Sequence, residues 1–242
     1  MSATETRAIG ANDTSAGEVL LDVKDLNAFY GRAQILFDVS LHVKRGEVVA
    51  LIGRNGAGKS TTMKAIIGLV DRVTGSIRFK GRDIVGVEPH VIARSGLGYV
   101  PEDRRIFTEL TVRENLGVGR QARREGAVEW SIDRVFALFP NLAERADRLA
   151  SHMSGGEQKM LAVARTLMGN PHLLLLDEPS EGIAPVIAEA MIRMILELKR
   201  EGTAILLSEQ NTRFAELVCD RGYVIESGVA SRESLSSAKQ RT

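Results

Sequence analysis

The chain of 242 residues is poor in several features that would announce a function. It has one cysteine, Cys219, so no intramolecular disulfide can form and a reducing cytoplasm is the simple reading. It has four histidines, His42, His90, His152 and His172, with no pair at ligand spacing, which argues against a Cys/His zinc site. No apolar run approaches the roughly 18 residues needed to span a bilayer; the leucine run Leu173–Leu176 reads as a buried strand. Charge of one sign is not in excess: 32 Lys+Arg against 31 Asp+Glu leave a net charge of +1, which argues against a dedicated nucleic-acid binder. The N-terminal stretch MSATETRAIGANDTSAG lacks the apolar segment of a secretory signal and is expected to be a disordered tail over 1–17. Neither an internal repeat nor a long linker is visible. What is present, 44% hydrophobic and 26% charged residues, fits a soluble globular chain of one or two domains.

Three apolar runs, Val19–Val23, Ile35–Val43 and Val48–Ile52, are separated by the turn signals Tyr30-Gly31 and Arg45-Gly46. They predict antiparallel strands leading into a buried parallel strand. A Gly-rich turn follows, then a helix over Ser60–Leu69, a turn at Thr74-Gly75 and a strand over Ser76–Phe79. Helix-compatible sequence dominates 111–149. Buried strands are expected at Leu173–Leu176 and Ala204–Leu207, with an amphipathic helix over Pro185–Lys199 between them. A hairpin around Gly228 closes the ordered part, and the polar residues 231–242 are expected to be mobile. Strands alternating with helices around a parallel sheet predict an α/β fold with a helical insertion.

Gly53–Ser60, GRNGAGKS, matches G-x-x-x-x-G-K-[ST] between a predicted strand and a predicted helix. Such a loop turns successive backbone N–H groups toward phosphate oxygens, and the helix N-terminus adds partial positive charge. Lys59 can reach terminal phosphates, and the Ser60 hydroxyl can ligate Mg²⁺. Gly53, Arg54, Asn55, Gly56, Ala57, Gly58 and Thr61 complete the candidate cradle. A second motif ends the leucine strand with Asp177-Glu178-Pro179. A buried strand delivers such carboxylates to its C-terminal edge, where α/β folds bind ligands. Asp177 is the candidate metal residue and Glu178 the group that polarises an attacking water. A third motif, Met153-Ser154-Gly155-Gly156-Glu157-Gln158, opens a helix. Ser154 and Glu157 have capping-box spacing, and the turn is also a candidate anion site.

Taken in chain order, Gly53–Ser60, Met153–Gln158 and Leu173–Pro179 resemble the P-loop, signature and Walker B elements of ABC ATPases, over about residues 18–230. The resemblance implies a P-loop NTPase cassette with a RecA-like core, an N-terminal antiparallel β subdomain and an α-helical subdomain at about 103–152. It gives Tyr30 the role of the aromatic residue stacked on adenine. It places the signature residues Ser154, Gly155, Gly156 and Glu157 over a nucleotide held by the neighbouring cassette of a head-to-tail pair. Ser180–Ala184 falls at the D-loop, with Ala184 where Asp is usual. Glu102 stands where the family usually has Gln, still able to ligate Mg²⁺, and Gln210 stands where it usually has His. An amide there can hydrogen-bond a γ-phosphate but cannot titrate near neutral pH.

Glu102 within PEDRR, the string DEPSEGIAP and Gln210 within SEQN are similar to the shorter ATP-binding subunit of branched-chain amino acid importers. That likeness implies ATP and Mg²⁺ as cofactors, with Glu178, Lys59 and Gln210 as catalytic residues and Ser60, Asp177 and Glu102 around the metal. It implies a homologous, longer ATP-binding partner in a heterodimer, two integral membrane permeases, and indirect service to a periplasmic solute-binding protein. The expected location is peripheral, on the cytoplasmic face of the inner membrane, with no nucleic-acid partner. The alternatives are a urea or amide importer, and a non-transport ABC ATPase acting on nucleic acid or a soluble complex; lipid or lipopolysaccharide export usually goes with a switch His. The arginines of the insertion, Arg104, Arg105, Arg113, Arg120, Arg123 and Arg124, are read chiefly as a solvated face.

Overall fold

The computed structural model describes residues 17–233; the expected tails over 1–17 and 231–242 lie outside the described residues except for residue 17 and residues 231–233. Two sheets organise the chain. The first is antiparallel and built from β1 (Val19–Tyr30), β2 (Ala33–Lys44), β4 (Arg72–Phe79) and the short β5 (Arg82–Asp83), in the order β2-β1-β4-β5. The second has six strands: β3 (Val48–Ile52), β6 (Leu97–Val100), β7 (Leu173–Asp177), β8 (Ala204–Glu209), β9 (Arg221–Glu226) and β10 (Val229–Glu233). Its order is β10-β9-β3-β8-β7-β6, with all pairs parallel except the β9–β10 hairpin. β10 runs to Glu233, so the ordered segment passes the boundary expected at 230.

The inner strands of the second sheet carry no polar alternation because both faces are covered. In β3, Val48, Ala50 and Ile52 face one core while Val49 and Leu51 face the other. In β7, Leu174 and Leu176 join the first core, and Leu173 and Leu175 the second. The second core is completed by α1 (Lys59–Ile66) and by the inward residues of β1 and β2. The first is completed by α6 (Gly155–Leu167), α7 (Pro185–Arg200) and α8 (Thr212–Val218). A short helix, α2 (Pro89–Arg94), precedes β6.

Between β6 and α6 lie α3 (Val112–Gly119), α4 (Ile132–Leu138) and α5 (Pro140–Ala143). The helical expectation for 111–149 holds only in these pieces, since 120–131 is irregular. That stretch satisfies its backbone on distant groups. Asn170 Oδ1 accepts from Trp130 N at 2.7 Å, and Asn170 Nδ2 donates to the carbonyls of Gln121 and Ala122. The Thr74-Gly75 turn expected from sequence instead lies inside β4, opposite a bulge on β1: Asp25 and Leu26 face Gly75 alone between the pairs Lys24–Ser76 and Asn27–Thr74. Gly75 has φ 98°, and a Cβ there would lie 2.3 Å from the Asp25 carbonyl oxygen, so the bulge needs glycine.

Candidate active site

The loop after β3 and the C-terminal ends of β7 and β8 converge at one edge of the parallel sheet. The loop is anchored by backbone: Gly53 N donates to the Glu209 carbonyl at 3.2 Å, and Gly228 N to the Ala57 carbonyl at 2.9 Å. Gly58 precedes α1 with φ 113°, a conformation side-chain-bearing residues rarely adopt. It offers α1 no side-chain cap, so the amides of the first turn keep their polarity for a ligand. A cavity of about 230 Å³ opens here, lined by Asn55, Gly56, Gly58, Lys59, Ser60 and Thr61 of the loop and helix, together with Glu102, Glu178 and Glu181. The candidate phosphate cradle, the Walker B glutamate and Glu102 are therefore one site.

Lys59 and Glu178 are both buried, and Lys59 Nζ lies 2.9 Å from Glu178 Oε1. The same ammonium donates to the carbonyls of Gly53 at 2.7 Å and Arg54 at 3.0 Å. With those partners, a phosphate reaching Lys59 requires an exchange that releases Glu178. Burial pushes the Glu178 carboxyl above its ordinary range, while Lys59 opposes the shift. Glu178 also sits at φ 49°, uncommon for a residue with a side chain.

Asp177 is held by three hydroxyls. Ser60 Oγ donates to Oδ1 at 3.0 Å, Ser208 Oγ donates to the same oxygen at 2.6 Å, and Tyr99 Oη donates to Oδ2 at 3.3 Å. Burial, with the Asp177 charge as a second cause, pushes the Tyr99 hydroxyl far up and keeps it a donor. Among the described residues no group of three or more His, Cys, Asp or Glu side chains is arranged to hold a metal. The adjacent Ser60 and Asp177 oxygens suit a hard cation that completes its shell with phosphate and water, as Mg²⁺ does.

Besides Tyr99, sequence reasoning missed four neighbours of this site. Glu181 lines the cavity, three residues beyond Glu178. Ser208 bridges the two Walker B residues, because its Oγ also accepts from Glu178 N at 3.0 Å. Lys159, buried on α6, donates to the carbonyls of Glu178 and Glu181. Glu209 is buried and accepts from Ser180 N at 2.8 Å and Asn211 N at 3.2 Å, joining the end of β8 to the D-loop segment. The available signal was closeness in sequence: Tyr99 lies three residues before Glu102, Ser208 and Glu209 just before Gln210, and Glu181 three after Glu178.

Gly53, Arg54, Ala57 and Asp177 adjoin the cavity's lining residues in sequence without being among them, and Tyr30, Gln210 and the Ser154–Glu157 turn are not among them either. Tyr30 ends β1 in the tight turn to β2 and is 46% exposed. Gln210 is exposed just past β8. Ser154–Glu157 form the N-terminus of α6, where both halves of the expected capping box are present: Glu157 N to Ser154 Oγ, and Ser154 N to Glu157 Oε2 at 2.8 Å. Ala184 caps nothing with its side chain; it precedes the proline that starts α7.

Fold and site together define a P-loop nucleotide-binding cassette. A family profile described as ABC transporter matches residues 36–181, more than half of the chain. The chain belongs to the ABC transporter family, as an ATP-binding subunit with ATPase activity. It is 46% identical over 209 residues to the high-affinity branched-chain amino acid transport ATP-binding protein BraG of Pseudomonas aeruginosa, covering 86% of this chain and 90% of that protein. It is 37% identical to the probable branched-chain amino acid transport ATP-binding protein LivF of Archaeoglobus fulgidus, covering 86% and 89%. It is 36% identical to the lipopolysaccharide export system ATP-binding protein LptB of Escherichia coli K12, covering 86% and 87%. Among solved structures, an ATP-binding subunit of an ABC transporter superposes with TM-score 0.77 at 34% identity, covering 92% of both chains. The ADP conformation of the cassette MJ1267 gives 0.75 at 27% identity, covering 92% and 94%.

Proposed function

We propose that this ATPase powers import of branched-chain or related amino acids across the inner membrane. The observation that carries the reading is the 46% identity to BraG across 86% of this chain. Glu102 and Gln210, the two departures from the usual family pattern, support it, because the importer subgroup resembles this chain at both.

In this reading the triphosphate lies on Gly53–Ser60 and α1, with Tyr30 against the adenine. Lys59 leaves Glu178 for the terminal phosphate, and the freed carboxylate takes the proton of the attacking water, aided by burial that raises its proton affinity. Gln210 donates an amide hydrogen bond to the γ-phosphate. Ser60, Asp177 and Glu102 would hold Mg²⁺, which would supply neutralising charge for the phosphates. Ser154–Glu157 close over a nucleotide on a homologous partner cassette, so two chains complete each site.

No helix among the described residues is long and apolar enough to cross a membrane. A docking surface for a permease helix is proposed at a groove of about 560 Å³ lined by Leu69, Pro89, Ala93, Tyr99, Phe107 and Val118. Leu69, Phe107 and Val118 expose large apolar side chains there, and the Glu102 loop connects this groove to the phosphate site. With that docking, the location proposed is peripheral, on the cytoplasmic face of the inner membrane.

The test is uptake of labelled leucine, urea and other solutes by cells of the source organism lacking this chain, with and without its gene restored. Leucine uptake that disappears on deletion and returns with the gene supports the reading. Loss of urea uptake with leucine uptake intact supports an amide importer instead, and a lipopolysaccharide export defect would replace import altogether.

A further inference from the structure

The Ser154–Glu157 turn differs from a neutral anion site in one respect: it contains a carboxylate. Glu157 Oε2 accepts from Ser154 N and from Ser154 Oγ, both at 2.8 Å. The carboxylate therefore sits at the N-terminal end of α6, where the helix favours any anion. A triphosphate approaching the same turn would meet that charge in a partly dehydrated interface, where like charges repel more strongly than in water.

The other oxygen of the carboxylate is occupied. Glu157 Oε1 is ion-paired with Arg145 Nη1, from the turn that follows α5. The pair is sheltered on the Glu157 side, whose side chain is 14% exposed. The nearby Arg104 has a different task. Its guanidinium lies against Gly155, and its Nη1 donates to Gln158 Oε1 at 3.4 Å. Neutralisation of Glu157 thus falls to Arg145.

We propose that Arg145 is a positioning residue for ATP-driven pairing: it neutralises and orients the Glu157 carboxylate so that Ser154 and the α6 N-terminus can accept the triphosphate of the partner's nucleotide. The proposal rests on the trans role of Ser154–Glu157 given under Proposed function. It accounts for how this chain uses glutamate in the signature turn without repelling its ligand. Arg145 itself touches neither ATP nor the reacting atoms.

The experiment uses the assembled transport complex, purified through a tag on this chain, and measures ATP turnover against ATP concentration for R145A, E157Q and the double variant. Glutamine keeps the N3 capping geometry and removes the charge. R145A raises the KM for ATP about tenfold with a smaller change in kcat, the size of one charge interaction in the interface. Introduced into E157Q, the same R145A change moves KM by less than about twofold, since no carboxylate remains to neutralise. Equal losses from R145A in both backgrounds would make Arg145 a packing residue and overturn the proposal, as would an unchanged KM in R145A. Failure of the underlying reading has its own signature: Ser154→Arg, which obstructs the turn, would leave turnover unchanged.

Discussion

Lys59 and Glu178 show how single residues divide the work. Their 2.9 Å ion pair is a contact that phosphate binding must break, so the two substitutions have different consequences. Lys59→Ala removes charged hydrogen bonds to the phosphates and is expected to weaken ATP binding about ten- to a hundredfold by equilibrium titration. Glu178→Gln keeps the cradle and is expected to bind ATP with near-normal affinity while turnover falls at least about a hundredfold, trapping the closed pair. Equal binding losses in both variants would mean that the pair acts only as a structural unit. Cys219, the lone cysteine, has no part in this chemistry: burial pushes its thiol up, which makes it a poor nucleophile.

Elements follow from sequence where the signal is local. Pro185 at the first turn sets the start of α7 where expected, and the Ser154/Glu157 spacing gives the start of α6. The GRNGAGKS and DEPSEG strings mark two corners of the site because each motif is one turn of chain. What remained hidden depends on pairs distant in sequence. Tyr99 reaches Asp177, Ser208 spans Asp177 and Glu178, and Lys159 crosses from α6 to the Walker B loop. Thr74-Gly75 reads as a turn in the sequence because glycine serves turns as well as the strand position opposite a bulge, and only pairing with β1 decides between them. Gly75→Ala is therefore expected to cost about 3 kcal/mol and lower Tm by about 9 °C, since it combines a left-handed φ with a clash against backbone. A thermal shift within a degree of wild type would mean that β4 can repair its register.

At the scale of the molecule, the units meet away from the phosphate edge. His172 precedes β7, is 4% exposed, and its Nε2 lies 3.0 Å from Lys80 Nζ, between β4 and β5. Burial and then the charges of Lys80, Arg45 and Arg124 lower its pKa from 6.5 to about 4. The unfolded chain therefore takes up the proton first as pH falls, and folding stability declines between pH 6.5 and 4. The loss at the acid end is about 3 kcal/mol for this one group. Denaturant titrations are expected to show a shallower decline over that window in His172→Gln than in the wild type; parallel declines would remove His172 from the acid response.

The most direct test of the whole account is ATP-driven leucine accumulation by proteoliposomes that hold the complex purified through this chain. The account predicts that the wild type accumulates leucine in step with ATP hydrolysed, and that Glu178→Gln binds ATP but accumulates none. Leucine accumulation by Glu178→Gln at the wild-type rate, or ATP hydrolysis by the wild type with no leucine moved, would contradict it.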